Sequence, residues 1–347
     1  MSTGTKQAVG SAPHEPSTTS PGPRRQAVRR LSAGLRRTVH RYSWQRGRWL
    51  AGFTLVGALV MAFSEAVPNT PGHLGSLLQT VLPWTGLLVP LLLGLALARR
   101  SALAVAAVLA PAVVWCCLFA GTLVDKGERG GDLTVLSHNV NEENGDPGRT
   151  ARALASSGAG LVALEELPRR ATARSTYEQE LAAAYPYSAV RGGVGVWSKY
   201  PIRAVEPLEI MPWTRALRAT VDTPRGPVAV YVAHLASVRV LPTGFATTSR
   251  NDSAARLAEL VRAEPLPRVV VLGDFNGSTA DSSLNALTGQ LSSAQEKAGA
   301  GFGLTWPAGF PLVRLDQIMV KGIKPVSSWT LPATGSDHLP VAASLKL

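Results

Sequence analysis

Six short segments of the 347-residue chain carry side chains that can hold a cation or move a proton. In order they contribute Asn139, Glu166, His234, the pair Asp274 and Asn276 in Gly273-Asp274-Phe275-Asn276, Asp316, and the cluster Ser336-Asp337-His338. Carboxylate and amide oxygens suit a hard cation, and histidine beside carboxylates suits proton transfer near neutral pH. Each residue alone has a plain structural explanation. Asn139 fits a turn, Glu166 a helix cap, His234 a satisfied strand end and Asp337 an exposed loop acid. The placement says more than the types, because nearly every one falls at an end of a short apolar run.

Those runs are the elements that must position the chemistry. Residues 133–137, 161–164, 194–198, 216–222, 228–235, 269–272, 315–320 and 341–345 read as strands, with Pro224-Arg225-Gly226 turning a hairpin between two of them. Asp146-Pro147 caps and starts a helix through Ala155. Residues 176–184 read as a second helix, and the amphipathic stretch 251–263 as a third. Residues 132–347 therefore form a mixed α+β domain large enough for a substantial core. Loops at strand ends are where such scaffolds present catalytic groups. The segment 236–249, with Arg239, Pro242 and Phe245, follows His234 closely, and two readings of it stand side by side: a loop that contacts a substrate or a membrane surface, and a simple solvated loop.

The ordered series LSHNV (136–140), LVALEE (161–166), YVAHL (231–235), GDFN (273–276), RLD (314–316) and SDH (336–338) resembles the endonuclease/exonuclease/phosphatase superfamily. That group includes DNase I, abasic-site endonucleases, neutral sphingomyelinases and inositol-polyphosphate phosphatases. The resemblance implies a four-layer α/β sandwich of the DNase I-like type and metal-dependent hydrolysis of phosphate esters. It assigns Asn139, Glu166 and Asp337 to the metal, Asp337 directly or through water. Asp316 would orient His338, Asp274 would orient or deprotonate the attacking water, and Asn276 and His234 would donate to the phosphoryl oxygens. Whether Asp274 or His338 takes the proton stays open at this stage. Mg2+ suits so few oxygen ligands and keeps waters to share with a phosphate; Mn2+ is the next choice. One departure is Glu165, where the family more often has Gln, an extra acid able to alter metal binding. His138 reads as structural or exposed, Arg314 as structural or at the rim, and Asn141 and Glu143 as near the metal without binding it. Trp197, Trp213, Trp306 and Trp329 read mostly as core packing.

Charge and hydropathy place this domain at a membrane. The net charge is +12, yet residues 1–48 hold Lys6 and nine arginines against Glu15, a net +9, while residues 132–347 carry only +2. The large domain thus lacks the general basic footprint of a nucleic-acid-coating protein. The only cysteines, Cys116 and Cys117, are adjacent within an apolar run, which excludes a disulfide scaffold and a Cys-built zinc site. Residues 1–48 read as a disordered basic tail, residues 49–124 as three transmembrane helices, and 125–131 as a linker. Arginine in the tail and at Arg99-Arg100, with no Lys or Arg in the loop 68–74, orients the tail to the cytoplasm and the domain to the outside. This order of parts also resembles the actinobacterial membrane-anchored VanJ- and StaP-type proteins associated with glycopeptide-antibiotic resistance. The expected function is a membrane-tethered phosphohydrolase acting on an envelope or lipid-linked phosphate. The alternatives are an extracytoplasmic nuclease, disfavoured by the near-neutral domain, and a non-catalytic binder of an envelope ligand.

Overall fold

The computed structural model describes residues 1, 3–4, 43–69, 72–242 and 244–347; most of the expected basic tail lies outside the described residues. The apolar front folds as α1 (Arg48–Ala62), α2 (Leu74–Val81), α3 (Leu88–Ala98), α4 (Ala102–Ala107) and α5 (Leu109–Leu123). Two stretches are long and apolar enough to cross a membrane, Leu74–Ala98 and Ala102–Leu123. The third expected span is not confirmed. α1 has 15 residues and spans about 22 Å at about 1.5 Å per residue, short of a hydrocarbon core of about 30 Å. It packs against α4 and α5 through Ala51, Thr54, Ala58 and Met61 and exposes Trp49, Phe53, Val56, Leu59 and Val60.

The stretch Leu74–Ala98 is also not one straight span. A 3-10 turn at Leu82–Leu87, containing Pro83, separates α2 from α3. α2 turns its polar face inward: Ser76 and Gln79 are fully buried, while Leu74, Leu77 and Val81 are exposed. The burial is against the large domain, where Ser76 Oγ donates to Asp281 at 3.1 Å and Gln79 Oε1 accepts from Ser282 N at 2.9 Å. At the opposite end of the bundle Ser43 N donates to Arg100 O and Ser101 Oγ to Arg46 O. Arg46, Arg48, Arg99 and Arg100 thereby gather at the end remote from the domain.

Period-two alternation builds the domain. One six-stranded sheet runs β13 (Lys324–Thr330), β14 (Val341–Lys346), β1 (Leu133–Asn139), β2 (Leu161–Glu165), β4 (Val194–Ser198), β3 (Tyr187–Arg191). The other runs β11 (Ser292–Ser293), β12 (Asp316–Lys321), β10 (Val269–Asp274), β7 (Gly226–Ala233), β6 (Ala216–Thr223), β5 (Ile202–Pro207). Val135, Val230, Val270 and Leu272 point between the sheets into the central core. Their neighbours Leu136, Ala229, Val269 and Val271 point outward under helices. α6 (Pro147–Ala155) and α7 (Ala171–Ala182) cover the first sheet through Leu154, Tyr177 and Leu181. α8 (Thr248–Arg262) and α9 (Asn285–Thr288) cover the second through Leu257, Val261 and Leu287. α10 (Ala294–Ala298) packs beside β13. Helix, sheet, sheet, helix is the four-layer arrangement that the sequence led us to expect.

A two-stranded ribbon, β8 (Arg239–Leu241) and β9 (Gly244–Ala246), stands outside both sheets. It touches the front of the chain where Phe245 N donates to Gly72 O. The approach needs glycine at 244, because a Cβ there would lie 2.4 Å from Gly72 Cα. The expectation that the tryptophans mostly pack the core is corrected. Trp197 is buried, whereas Trp213, Trp306 and Trp329 are exposed, since each of these three sits on a loop or an edge strand.

Candidate active site

The central strands of both sheets end together, and their last residues form the site. Asn139 closes β1 and Glu166 follows β2; His234 follows β7, Asp274 closes β10 and Asp316 opens β12. Antiparallel register sets Asp274 directly opposite Asp316. Gly273 lets β10 close on β7, where a Cβ would meet Ala233 O at 1.8 Å. Glu166 and Asn276 both adopt left-handed backbone, with φ of 53 and 47°. Such turns swing the side chain out of the strand's alternation and into the cleft.

The side chains interlock. His338 Nδ1 lies 2.9 Å from Asp316 Oδ2, and its Nε2 lies 3.8 Å from Asp274 Oδ2. Burial disfavours the charged imidazole, but Asp316, Asp274 and Asp337 outweigh it and raise His338 to about 10. His234 Nε2 lies 3.5 Å from Glu166 Oε1 and 3.7 Å from Asp274 Oδ2. Desolvation dominates for this buried ring and lowers it to about 4, so His234 is neutral at pH 7. Asn139 donates its amide to Asp274 Oδ2 at 3.0 Å and accepts from Asn141 N through Oδ1. An oxygen ligand from Asn139 therefore requires the amide to turn over. Asn276 N donates to Asp274 Oδ1 at 2.8 Å, and its amide donates to Leu235 O. Asp337 stands at the rim, accepting from Asn141 Nδ2 at 3.0 Å and Trp306 Nε1 at 3.2 Å.

The donors suit a hard divalent cation. Desolvation raises the carboxyl of Glu166, and the neighbouring Asp274 charge adds to the effect, so a cation between them relieves a real electrostatic cost. Asp274, Asp316 and His338 also offer atoms within 4.8 Å of one another. There, however, the Asp316–His338 hydrogen bond already uses Nδ1 and one carboxylate oxygen.

Folding disfavours a charge on Glu165. It is fully buried on β2 and accepts from Ser137 Oγ at 3.0 Å. Desolvation and the nearby Asp316 push its carboxyl well above the ordinary range. In its protonated form a carboxyl is close in shape and polarity to the amide expected there. His138 is structural, buried against Thr334 Oγ1 at 2.8 Å. Arg314 is structural too, tied to Gln317 and Gly303 O. Asn141 and Glu143 belong to one turn, in which Glu143 N donates to Asn141 Oδ1.

Arg215 was not anticipated. Its Nη1 lies 3.2 Å from His234 Nε2, and it lines a cavity of about 670 Å3 with Glu166, Trp213, Arg169 and Arg174. The signal lay in the hairpin: a turn pairing Thr223 with Gly226 sets Ala216 beside Ala233, hence Arg215 beside His234.

Several solved structures share this fold. Danio rerio TDP2 complexed with a single-strand DNA product aligns with TM-score 0.52 and 18% identity, covering 62% of this chain and 99% of the other. Beta toxin from Staphylococcus aureus aligns with TM-score 0.50 and 16% identity, covering 61% and 99%. No curated protein matches the sequence. The profile of the Endonuclease/Exonuclease/phosphatase family matches residues 136–338, a span that begins just before Asn139 and ends on His338. With that match and this constellation of carboxylates and histidines, the chain belongs to the endonuclease/exonuclease/phosphatase family and is a metal-dependent hydrolase of phosphate esters.

Proposed function

We propose that the protein is anchored in the cytoplasmic membrane with its catalytic domain outside, and that it hydrolyses a phosphate ester or pyrophosphate of a lipid-linked envelope molecule. The observation that carries this reading is a pair of segments, one following His234 and one adjoining Asp337, that expose apolar side chains and touch the apolar front of the chain. The ribbon β8–β9 follows His234 and exposes Val240 and Leu241; the loop 306–312 adjoins Asp337 and exposes Phe310 and Leu312. Both segments also touch the anchor, through Gly72 to Phe245 and through Trp84 Nε1 to Leu312 O at 2.7 Å. Exposed apolar segments joined both to site residues and to apolar helices suit a phosphate held at a bilayer surface.

Mg2+ is the proposed ion, held by Glu166, by Asn139 after its amide turns, and by Asp337 directly or through water. When bound it neutralises charge on the phosphoryl oxygens. Asp274, fixed by Asn276 N, takes the proton of the attacking water as the new P–O bond forms. His338, with three carboxylates favouring its imidazolium, donates to the phosphoryl group as charge builds. His234 is neutral; its Nε2 faces Arg215, so Arg215 is the stronger donor toward a phosphoryl oxygen, with Asn276 beside it. The bond to the leaving group then breaks, leaving phosphate or a phosphomonoester. An association with glycopeptide resistance follows only if the product belongs to cell-wall lipid metabolism.

The test is phosphate release by the full chain in detergent micelles, using farnesyl diphosphate, phosphatidic acid and single-stranded DNA, with Mg2+ or EDTA. Hydrolysis of a lipid phosphate that stops with EDTA is the expected result. Cleavage of DNA alone would overturn the lipid assignment, and full activity in EDTA would overturn the metal.

A further inference from the structure

The loop that carries Asn276 is held from behind by a buried ion pair, and that pair is completed by the membrane anchor. Arg250 on α8 and Asp281 are 1% and 0% exposed at their side chains, with Nη2 and Oδ2 2.5 Å apart. Each charge so buried needs its remaining polar atoms satisfied. Arg250 Nε donates to Asn251 Oδ1 at 2.8 Å, and Nη1 donates to the backbone carbonyl of Asn276 at 3.2 Å. Asp281 Oδ1 accepts from Ser283 N at 2.9 Å and from Ser76 Oγ at 3.1 Å. Ser76 belongs to α2, about two hundred residues away in sequence. Beside it Gln79 accepts from Ser282 N, and Asn69 donates to Ser283 Oγ at 3.2 Å.

Asn276 adopts left-handed backbone, which asparagine does more readily than other residues with a Cβ; what Arg250 contributes is the position of its peptide, through the bond to the Asn276 carbonyl. Arg250 also packs against Gly277 so closely that a Cβ at 277 would lie 2.0 Å from Nη1. A displaced guanidinium therefore moves the peptide that presents Asn276, and with it the Asn276 N–H that orients Asp274.

We propose that Arg250 is a positioning residue for the Asp274–Asn276 turn, and that α2 acts as a seat whose Ser76 and Gln79 hold the supporting ion pair in register, so that turnover depends on the anchor being docked. The catalytic part rests on the hydrolase reading above; the structural part does not. The chain of contacts runs from Ser76 to Asp281, to Arg250, to the carbonyl of Asn276.

The experiment uses the full chain in micelles. The variant S76A/Q79A removes one hydroxyl and one amide from the seat and leaves the catalytic domain's own residues intact. Hydrogen exchange is followed in peptides covering 273–284, with β1 and β14 as internal references. The seat predicts faster exchange in 273–284 alone; unchanged protection there overturns the proposal whether or not a substrate is known. With bis-(p-nitrophenyl) phosphate and Mg2+, kcat should fall roughly fivefold, the scale of one lost hydrogen bond, with KM within about twofold of the parent. Equal kcat in variant and parent overturns the catalytic part. R250M leaves Asp281 buried without its counter-charge and risks misfolding, so R250K serves beside it. Lysine keeps the charge but loses the fork that reaches Asp281, Asn251 and Asn276 O together, and should restore exchange protection only in part. If R250K matches the parent in both exchange and kcat, the guanidinium fork has no positioning role. An inert parent enzyme would instead point to a wrong substrate class, an outcome separate from the exchange result.

Discussion

Two adjacent glutamates do opposite things because one backbone angle separates them. Glu165 keeps the strand's alternation and faces the buried interior beside Ser137; Glu166 turns left-handed, with φ 53°, and faces the cleft. Replacing Glu165 with glutamine should leave kcat/KM within about twofold and thermal stability at pH 8 equal or higher. The amide keeps the Ser137 contact and removes a carboxyl whose charge burial disfavours. Replacing Glu166 with glutamine should cost more than the roughly 100-fold that changes to outer groups around a metal reach. Parallel steady-state kinetics and melting curves check both. A large loss at Glu165 would mean that its proton takes part in the chemistry. The sequence showed Glu165 only as an odd acid, since neighbouring letters do not reveal which one leaves the strand's alternation.

At the level of elements, β6, β7 and the end of α8 are clamped by one carboxylate. Glu264 accepts two hydrogen bonds from Arg218, one from Tyr231 OH at 2.6 Å and one from Leu266 N. Burial works against its charge, yet the bonds from Arg218, Tyr231 and Leu266 prevail and hold it below its ordinary value of 4.5. A carboxyl lowered by folding adds stability that is fully present above its unfolded value and is lost as pH falls through its folded one. Glu264→Gln should therefore lower stability at pH 7 by about 3 kcal/mol, since Arg218 loses its buried partner. The variant should also lose less of its remaining stability than the parent below about pH 4.5, which urea titrations at several pH values measure.

The same scale shows what could be read beforehand. All eight expected strands and three expected helices are present, because each has a buried face that imposes a period. The strands that escaped notice were β3, β5, β11 and β13, together with the ribbon β8–β9. β3 and β5 are edge strands whose residues are mostly exposed or half-buried, β11 has two residues, and β13 is an edge strand that starts beside Pro325. Without a continuous apolar face they leave little pattern. Of the site, the residues on the strands were legible and the partners brought by register were not: Arg215 opposite His234, and Arg250 behind Asn276. Trp306 was noticed but read as core; it reaches Asp337 from a loop without periodicity.

For the whole molecule, the arrangement of arginines argues for the proposed orientation. Arg46, Arg48, Arg99 and Arg100 share the bundle end opposite the catalytic domain, as the rule relating basic residues to the cytoplasmic side requires. A reporter fused after Leu347 should be active only outside the cytoplasm, and one fused after Ala98 only inside. A cytoplasmic Leu347 would exclude the envelope substrate and restore intracellular nucleic acid as a target. Three spans were expected from hydropathy alone; the first, at α1, is the one not confirmed, while Leu74–Ala98 is long and apolar enough to cross a membrane even though its first part, α2, docks on the domain. Hydropathy averages around a helix, so it could not register that Ser76 and Gln79 share one face and that this face meets protein.

The short linker after α5 has a mechanical consequence. Residues 124–132 could stretch to about 30 Å if extended, but Glu128 N donates to Val326 O at 2.7 Å, Asp132 N donates to Leu345 O, and Lys324 pairs with Glu128 at 2.8 Å. The leash is thus fastened along its length and offers no slack. Under the proposed topology the catalytic cleft rides at one fixed altitude above the lipid, like a cutter set on a rail. A headgroup that presents its phosphorus at that height is processed; the same chemical bond carried higher on a long glycan stem passes overhead untouched.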